Sequence, residues 1–356
     1  MSMVGIITGI YGLAMAVYRI PIGIWSDKIN KRKIFFTAAF VINFIATTAM
    51  ALFPSPGILL MGRMLTGLTA SMWGVITVLL VTYFPPEKAI WAISIANIGN
   101  NAGQAIGNLI GGSAAEFWGS SAPMFVASGV AIIGFTCTLF IKDKKVPGRS
   151  PLKIKDFLDV GKNPVIFKIS FLAAMKFMIS FSASIMMAPL IAKSMGATSF
   201  MIGLLSMVSV IAGVLGSFMV GKGLFNRFQR RYVMTAFLII LAFGCMLYPS
   251  VPDVIYLYFI QFVMGFALMV TNNLDMNSIY EASPVEKRAS GMGFYQAVYA
   301  IGICVGPTIS GLLSDNLGLN YTYYAISVFA LFTGLLYFIF LKEKPQKNLG
   351  EAKANI

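Results

Sequence analysis

Apolar residues run in long blocks from one end of the chain to the other, interrupted by short polar turns. Blocks of about 18 or more apolar residues mark membrane-spanning helices. The pattern predicts eleven of them, near 4–26, 34–53, 57–84, 91–115, 121–141, 166–192, 200–222, 232–249, 254–280, 289–313 and 321–341. The one sizeable polar stretch, 142–165, carries Lys142, Lys144, Lys145, Arg149, Lys153, Lys155 and Lys162. It divides the chain into a helical bundle at 1–141, a linker at 142–165, a second bundle at 166–341 and a polar tail at 342–356. The expected fold class is therefore all-α and polytopic, with the bilayer as solvent.

Composition agrees, since 58% of the 356 residues are hydrophobic and only 11% charged, against about 25% charged in soluble domains. The net charge of +14 would suggest nucleic acid in a soluble protein. Placed relative to the spans, nearly all the basic residues fall on the linker side of the membrane, with Lys193 opposite and Arg19, Arg63 and Lys176 inside spans. That asymmetry predicts a cytoplasmic linker and tail in a multi-pass plasma-membrane protein, with lipid and not nucleic acid as its neighbour. Cys137, Cys245 and Cys304 lie in apolar segments and there is no histidine. No metal site, cofactor or histidine-based chemistry is expected.

A shift of 199 positions aligns the halves without a gap. Asp27, Lys28, Lys31 and Arg32 fall on Asn226, Arg227, Arg230 and Arg231, and Pro85, Glu87 and Lys88 on Pro284, Glu286 and Lys287. Asn97 meets Gln296; Gly103, Gly107 and Gly112 meet Gly302, Gly306 and Gly311; Glu116 meets Asp315. Segments of equal orientation repeat, so the halves are parallel repeats related by an axis along the membrane normal. The partner of the 166–192 span falls before residue 1, which predicts a six-plus-six plan read from its second helix.

Gly23, Asp27, Lys28, Lys31 and Arg32 form a short charged turn between the first two spans. A carboxylate at a helix end beside basic side chains makes a contact that can break between conformations. In this spacing the sequence resembles the major facilitator superfamily (MFS), with Asn30 where the family usually has glycine; asparagine tolerates the left-handed turn. The resemblance implies a two-bundle transporter lacking its first helix, with the Asp27 turn as a conformational gate. It also covers Arg63 and Gly67, similar to an intramembrane arginine motif, and Gly103, Gly107, Gly111 and Gly112, similar to an antiporter glycine motif. In that motif a proline follows the second glycine, where this chain has Asn108; Pro307 stands in the second half instead. These glycines, with Gly302, Gly306 and Gly311, are also what close helix packing requires.

Asn97, Asn101, Gln104 and Asn108 make one helical stripe, which must face water or other polar groups. It lines a cavity or joins helices. The resemblance implies that the spans at 57, 166 and 254 line the pathway, bringing in Lys176 and Ser180 and then Asn272, Asn273 and Asp275. Asp275 is the one carboxylate deep in a span and a candidate protonatable coupling site. Arg19, Arg63 and Lys176 suit an anionic solute, unless these charges neutralise Asp275 or Arg63 reaches the interface.

Two functions fit. One is a monomeric secondary transporter of a small solute (an organic anion, a sugar or a drug-like compound), working by proton-coupled antiport or symport or by facilitated diffusion; the other is a membrane sensor that binds solute without moving it. An enzyme is not expected, because a 24-residue linker is too short for a catalytic domain.

Overall fold

The computed structural model describes residues 1–85, 88–143, 154–284 and 287–341. The loop carboxylates Glu87 and Glu286, the basic linker positions Lys144, Lys145, Arg149 and Lys153, and the tail lie outside the described residues. The first half is built from α1 (Ser2–Ile29), α2 (Arg32–Leu52), α3 (Pro56–Ser71), α4 (Trp73–Val81), α5 (Ala89–Trp118) and α6 (Ala122–Leu139). A short helix, α7 (Ile154–Gly161), precedes α8 (Pro164–Ser180) and α9 (Ala188–Ser194), which a π-helical segment joins. Then come α10 (Ser199–Gly221), α11 (Arg230–Leu247), α12 (Val254–Ala282), α13 (Arg288–Leu317) and α14 (Leu319–Phe340).

Among the described residues ten helical stretches are long and apolar enough to cross a membrane. The eleventh predicted span is α5, a 30-residue helix whose amide stripe makes it the least apolar of the set. The π-helical segment Phe181–Met187 has a local cause. Pro189 has no N–H, and its ring crowds the carbonyl one turn back, so the ladder slips and Ala188 N–H bonds to Ala183 O. At the first turn, Asn30 adopts φ 51° and ψ 31°, the left-handed cap expected of it.

Glycines decide where helices meet. On α1, Gly9 and Gly12 face Cys304 on α13, where an added Cβ would come within 2.5 and 2.6 Å of backbone atoms. Gly112 on α5 and Gly203 on α10 pack with equal closeness. At the same end, the Glu116 carboxylate accepts the Ser199 N–H at 2.7 Å and the Asp315 carboxylate accepts the Ser2 N–H at 2.8 Å. A carboxylate placed on the first turn of a helix offsets the partial positive charge there. The halves are thus held together at the end bearing Glu116 and Asp315. They part toward the linker end, where Gly23 has open space around it.

The repeat is unequal in its packing. On α13, a Cβ added at Gly302 would collide with the Ala174 carbonyl, and one added at Gly306 would come within 2.5 Å of Met178 O on α8. A Cβ added at their partners Gly103 and Gly107 on α5 would meet nothing within 4 Å, and one added at Gly111 would make only an ordinary contact with Pro123. The largest buried apolar cluster, including Leu172, Met187, Leu238, Met264 and Tyr337, accordingly belongs to the second half. The first half has the small cluster of Ile22, Phe35, Ala39, Met72 and Val75.

Gly302→Ala is expected to force α8 from α13 and lower the melting temperature in detergent by several degrees, from an overpacking cost of about 1–3 kcal/mol. Gly103→Ala should leave it unchanged within error or raise it slightly. Equal losses for both would contradict this packing.

Candidate functional site

Among the described residues, two cavities between the halves stand out. The linker-end cavity, about 360 Å³, is walled by α1, α4 and α5 on one side and by α7 and α13 on the other. Arg19 of α1 and, two turns on, Ser26 and Asp27 line it. Each keeps an atom without a hydrogen-bond partner among the described residues: Arg19 Nη1, Ser26 Oγ and Asp27 Oδ2. Gln296 of α13 faces them across the cavity beside Met292 and Gly293, and its repeat partner Asn97 lies on the near wall.

The Asp27 turn is brought together in part. Buried Arg32 donates from Nη2 to Asp27 Oδ1 at 3.0 Å and from Nη1 to Asn30 at 3.2 Å. Lys28 and Lys31 are exposed instead. Asp143, just beyond α6, accepts the backbone N–H groups of Arg32 and Lys33 at 3.2 and 3.3 Å, satisfying the first turn of α2. Just past α7, Lys162 donates to Asp159 of that helix at 3.0 Å and holds its half-buried carboxyl below the ordinary carboxylate range.

The deep charges of the second half pair with each other. Lys176 Nζ, fully buried, lies 2.5 Å from Asp275 Oδ2, which also accepts from Tyr337 OH at 2.9 Å. Asn272 accepts from Tyr295 OH at 2.8 Å. Asn273 donates to Ser217 on α10 at 2.9 Å and to Met269 O at 2.7 Å. The two asparagines therefore tie α12 to opposite neighbours. Arg63 lies 4.9 Å over the Tyr11 ring, a cation–π contact and not an ion pair. Of the three cations expected to favour an anion, Lys176 is neutralised, Arg63 is covered by an aromatic face, and Arg19 has a free donor.

The second cavity, about 270 Å³, is formed by α5, α8, the π-helical segment, α10 and α12. It takes Asn101, Gln104 and Asn108 from the predicted stripe, with Ser180, Ser184 and Gln261 opposite. Gln261 is held by its Nε2 on Ser184 O at 3.0 Å and by Tyr248 OH donating to Oε1 at 2.8 Å.

Sequence reading missed Asp143, Tyr337, Tyr11 and Gln261. Only Gln261 carried a signal, as a lone amide in an apolar span. The others act through partners distant in sequence.

The family model described as Major Facilitator Superfamily matches residues 1–274 and, in a second match, 169–355. The chain is similar in fold to a point mutant of the nucleoside transporter NupG, with a TM-score of 0.80 at 15% identity over 96% of this chain and 91% of that one. It is also similar to a bacterial homolog of the human lysosomal transporter Spinster in an inward-facing, occupied conformation. There the TM-score is 0.78 at 17% identity, covering 97% of this chain and 91% of that one.

Removing one member of the buried pair strands the other. Lys176→Met or Asp275→Leu alone is expected to cost about 3–5 kcal/mol, and the double substitution far less. Thermal unfolding in detergent reads this directly. A double variant as unstable as the two single losses combined would show that the pair is not the local unit of stability.

Proposed function

Since the chain belongs to the Major Facilitator Superfamily, a family of membrane transporters, we propose that it moves a small solute across the plasma membrane by alternating access of its two repeat-related halves. The observation that carries this reading is the asymmetry between the ends. Carboxylates and glycines close one end, at Glu116–Ser199 and Asp315–Ser2, while a cavity lies between the halves at the other. With the basic linker in the cytoplasm, the end that carries this cavity is the inner one, which supports an inward-facing reading. The Asp27 turn then works as the gate: its unpaired Asp27 Oδ2, Ser26 Oγ and Arg19 Nη1 meet the start of α13 when the linker end closes. Neighbours named as a nucleoside transporter and as a lysosomal transporter homolog support movement of a small solute.

Coupling to protons is assigned to the Lys176–Asp275 pair. Protonating Asp275 dissolves an ion pair that links α8 to α12, so a proton and a helix movement become linked.

The test is flux into proteoliposomes, using labelled anions, cations, sugars and nucleosides with and without a pH gradient. At least one solute is expected to accumulate with the gradient. The Lys176→Met, Asp275→Leu double variant should still exchange it but lose gradient-driven accumulation. Solute that binds without crossing would make the protein a sensor, and unchanged gradient dependence in the double variant would remove this pair from coupling.

A further inference from the structure

We infer that the cavity between α5 and α12 is the solute site, and that its solute is an uncharged polyhydroxy compound, a monosaccharide or a nucleoside bound through its ribose. This rests on the transport reading and narrows it. The lining of the cavity includes no ionisable side chain. The cation nearest along the chain, Lys176, is one turn before Ser180 on α8 but is withdrawn into its pair with Asp275. A charged solute entering this space would lose hydration with no countercharge to replace it.

What the cavity offers is hydrogen bonding in both directions. Asn101, Gln104 and Asn108 project from one stripe of α5 and form no hydrogen bond to another described residue, so their amides, each with donors and an acceptor, are free. Opposite them stand the hydroxyls of Ser180 and Ser184. Vicinal hydroxyl groups, which both donate and accept, match such a lining; a purely apolar solute would leave these amides unpaired.

The far wall is preset. The π-helical segment aims Ser184 O at Gln261 Nε2, and Tyr248 fixes the other end of that amide. Single-turn π-segments recur at functional sites because they re-aim a few backbone groups within an otherwise regular helix. The cavity volume of about 270 Å³ lies near the lower end of small-molecule sites, which begin at about 300 Å³. That suits a single sugar ring better than an extended drug-like molecule.

The test is equilibrium binding to the purified full chain in detergent, with a panel of hexoses, pentoses and nucleosides, and with succinate and tetraphenylphosphonium as the charged probes. At least one uncharged probe is expected to bind and neither charged probe to displace it. Asn101→Ala and Gln104→Ala should each weaken that binding about tenfold with little change in melting temperature, since neither side chain has a protein partner to strand. Binding by sugars and not nucleosides identifies the monosaccharide source; the reverse identifies the ribose. No binding by any uncharged probe, binding unaltered by both substitutions, or a charged probe whose binding is lost in Gln104→Ala would overturn the assignment. Binding without flux would defeat the transport reading alone, whereas flux of charged solutes only would defeat this one alone.

Discussion

Two carboxylates, each at the end of one helix and each resting on the first turn of a helix from the other half, govern the arrangement of everything between them. Glu116 of α5 takes the Ser199 N–H of α10, and Asp315 of α13 takes the Ser2 N–H of α1. The acids are repeat partners and close the same end, and Asp315 adds contacts to the Met1 ammonium at 2.7 Å and the Ser2 hydroxyl. Each acid makes an exposed helix-end contact, strong enough to bias a conformational equilibrium and weak enough to break within a transport cycle. The glycine contacts beneath them, Gly9 and Gly12 on α13 and Gly112 on Gly203, bring the backbones close at that end. Farther toward the linker the helices diverge, and the cavity between the halves follows from that divergence.

The bilayer explains how polar residues are used below these contacts. Apolar lipid gives little drive for helices to associate, so close packing and interhelical hydrogen bonds carry more of the load. The second half uses both. Tyr337, Lys176 and Asp275 form a buried cluster, Asn272 and Asn273 bind neighbours on either side, and Gly302 and Gly306 admit α8. In the first half α5 leaves Gly103 and Gly107 uncovered and turns Asn101, Gln104 and Asn108 toward a cavity. The cavity-lining amides of α5 thus belong to the less tightly packed half and face a wall of the other half, where Gln261 is held by Ser184 and Tyr248.

How much of this was legible in the sequence depended on range. Apolar block length gave the helices, and loop charges at one offset gave the repeat, because both are local or periodic properties. Asn30 could be read as a left-handed cap from its neighbours alone. Lys176 and Asp275 were recognisable as deep charges, but whether they faced solute or each other depended on how α8 and α12 are rotated, which no periodicity encodes. The same limit hid Asp143, whose partners Arg32 and Lys33 lie over a hundred residues earlier, and the contrast between Gly103 and Gly302. These glycines are equivalent in sequence and differ in what stands opposite. The π-helical segment did have a local cause in Pro189, yet a proline in a membrane helix is as compatible with a simple kink.

The central claim is that the end carrying the two carboxylates and the linker end open in opposition. It is tested most directly by distances between spin labels, with one pair at Lys28 and Arg288 and the other at Ser120 and Ala197, in the native chain and in Glu116→Gln, Asp315→Asn. Neutralising both acids should shift the population roughly threefold or more. The account predicts that the 120–197 distance then lengthens while the 28–288 distance shortens, in matching proportions. Both distances lengthening together, or neither moving, would contradict it.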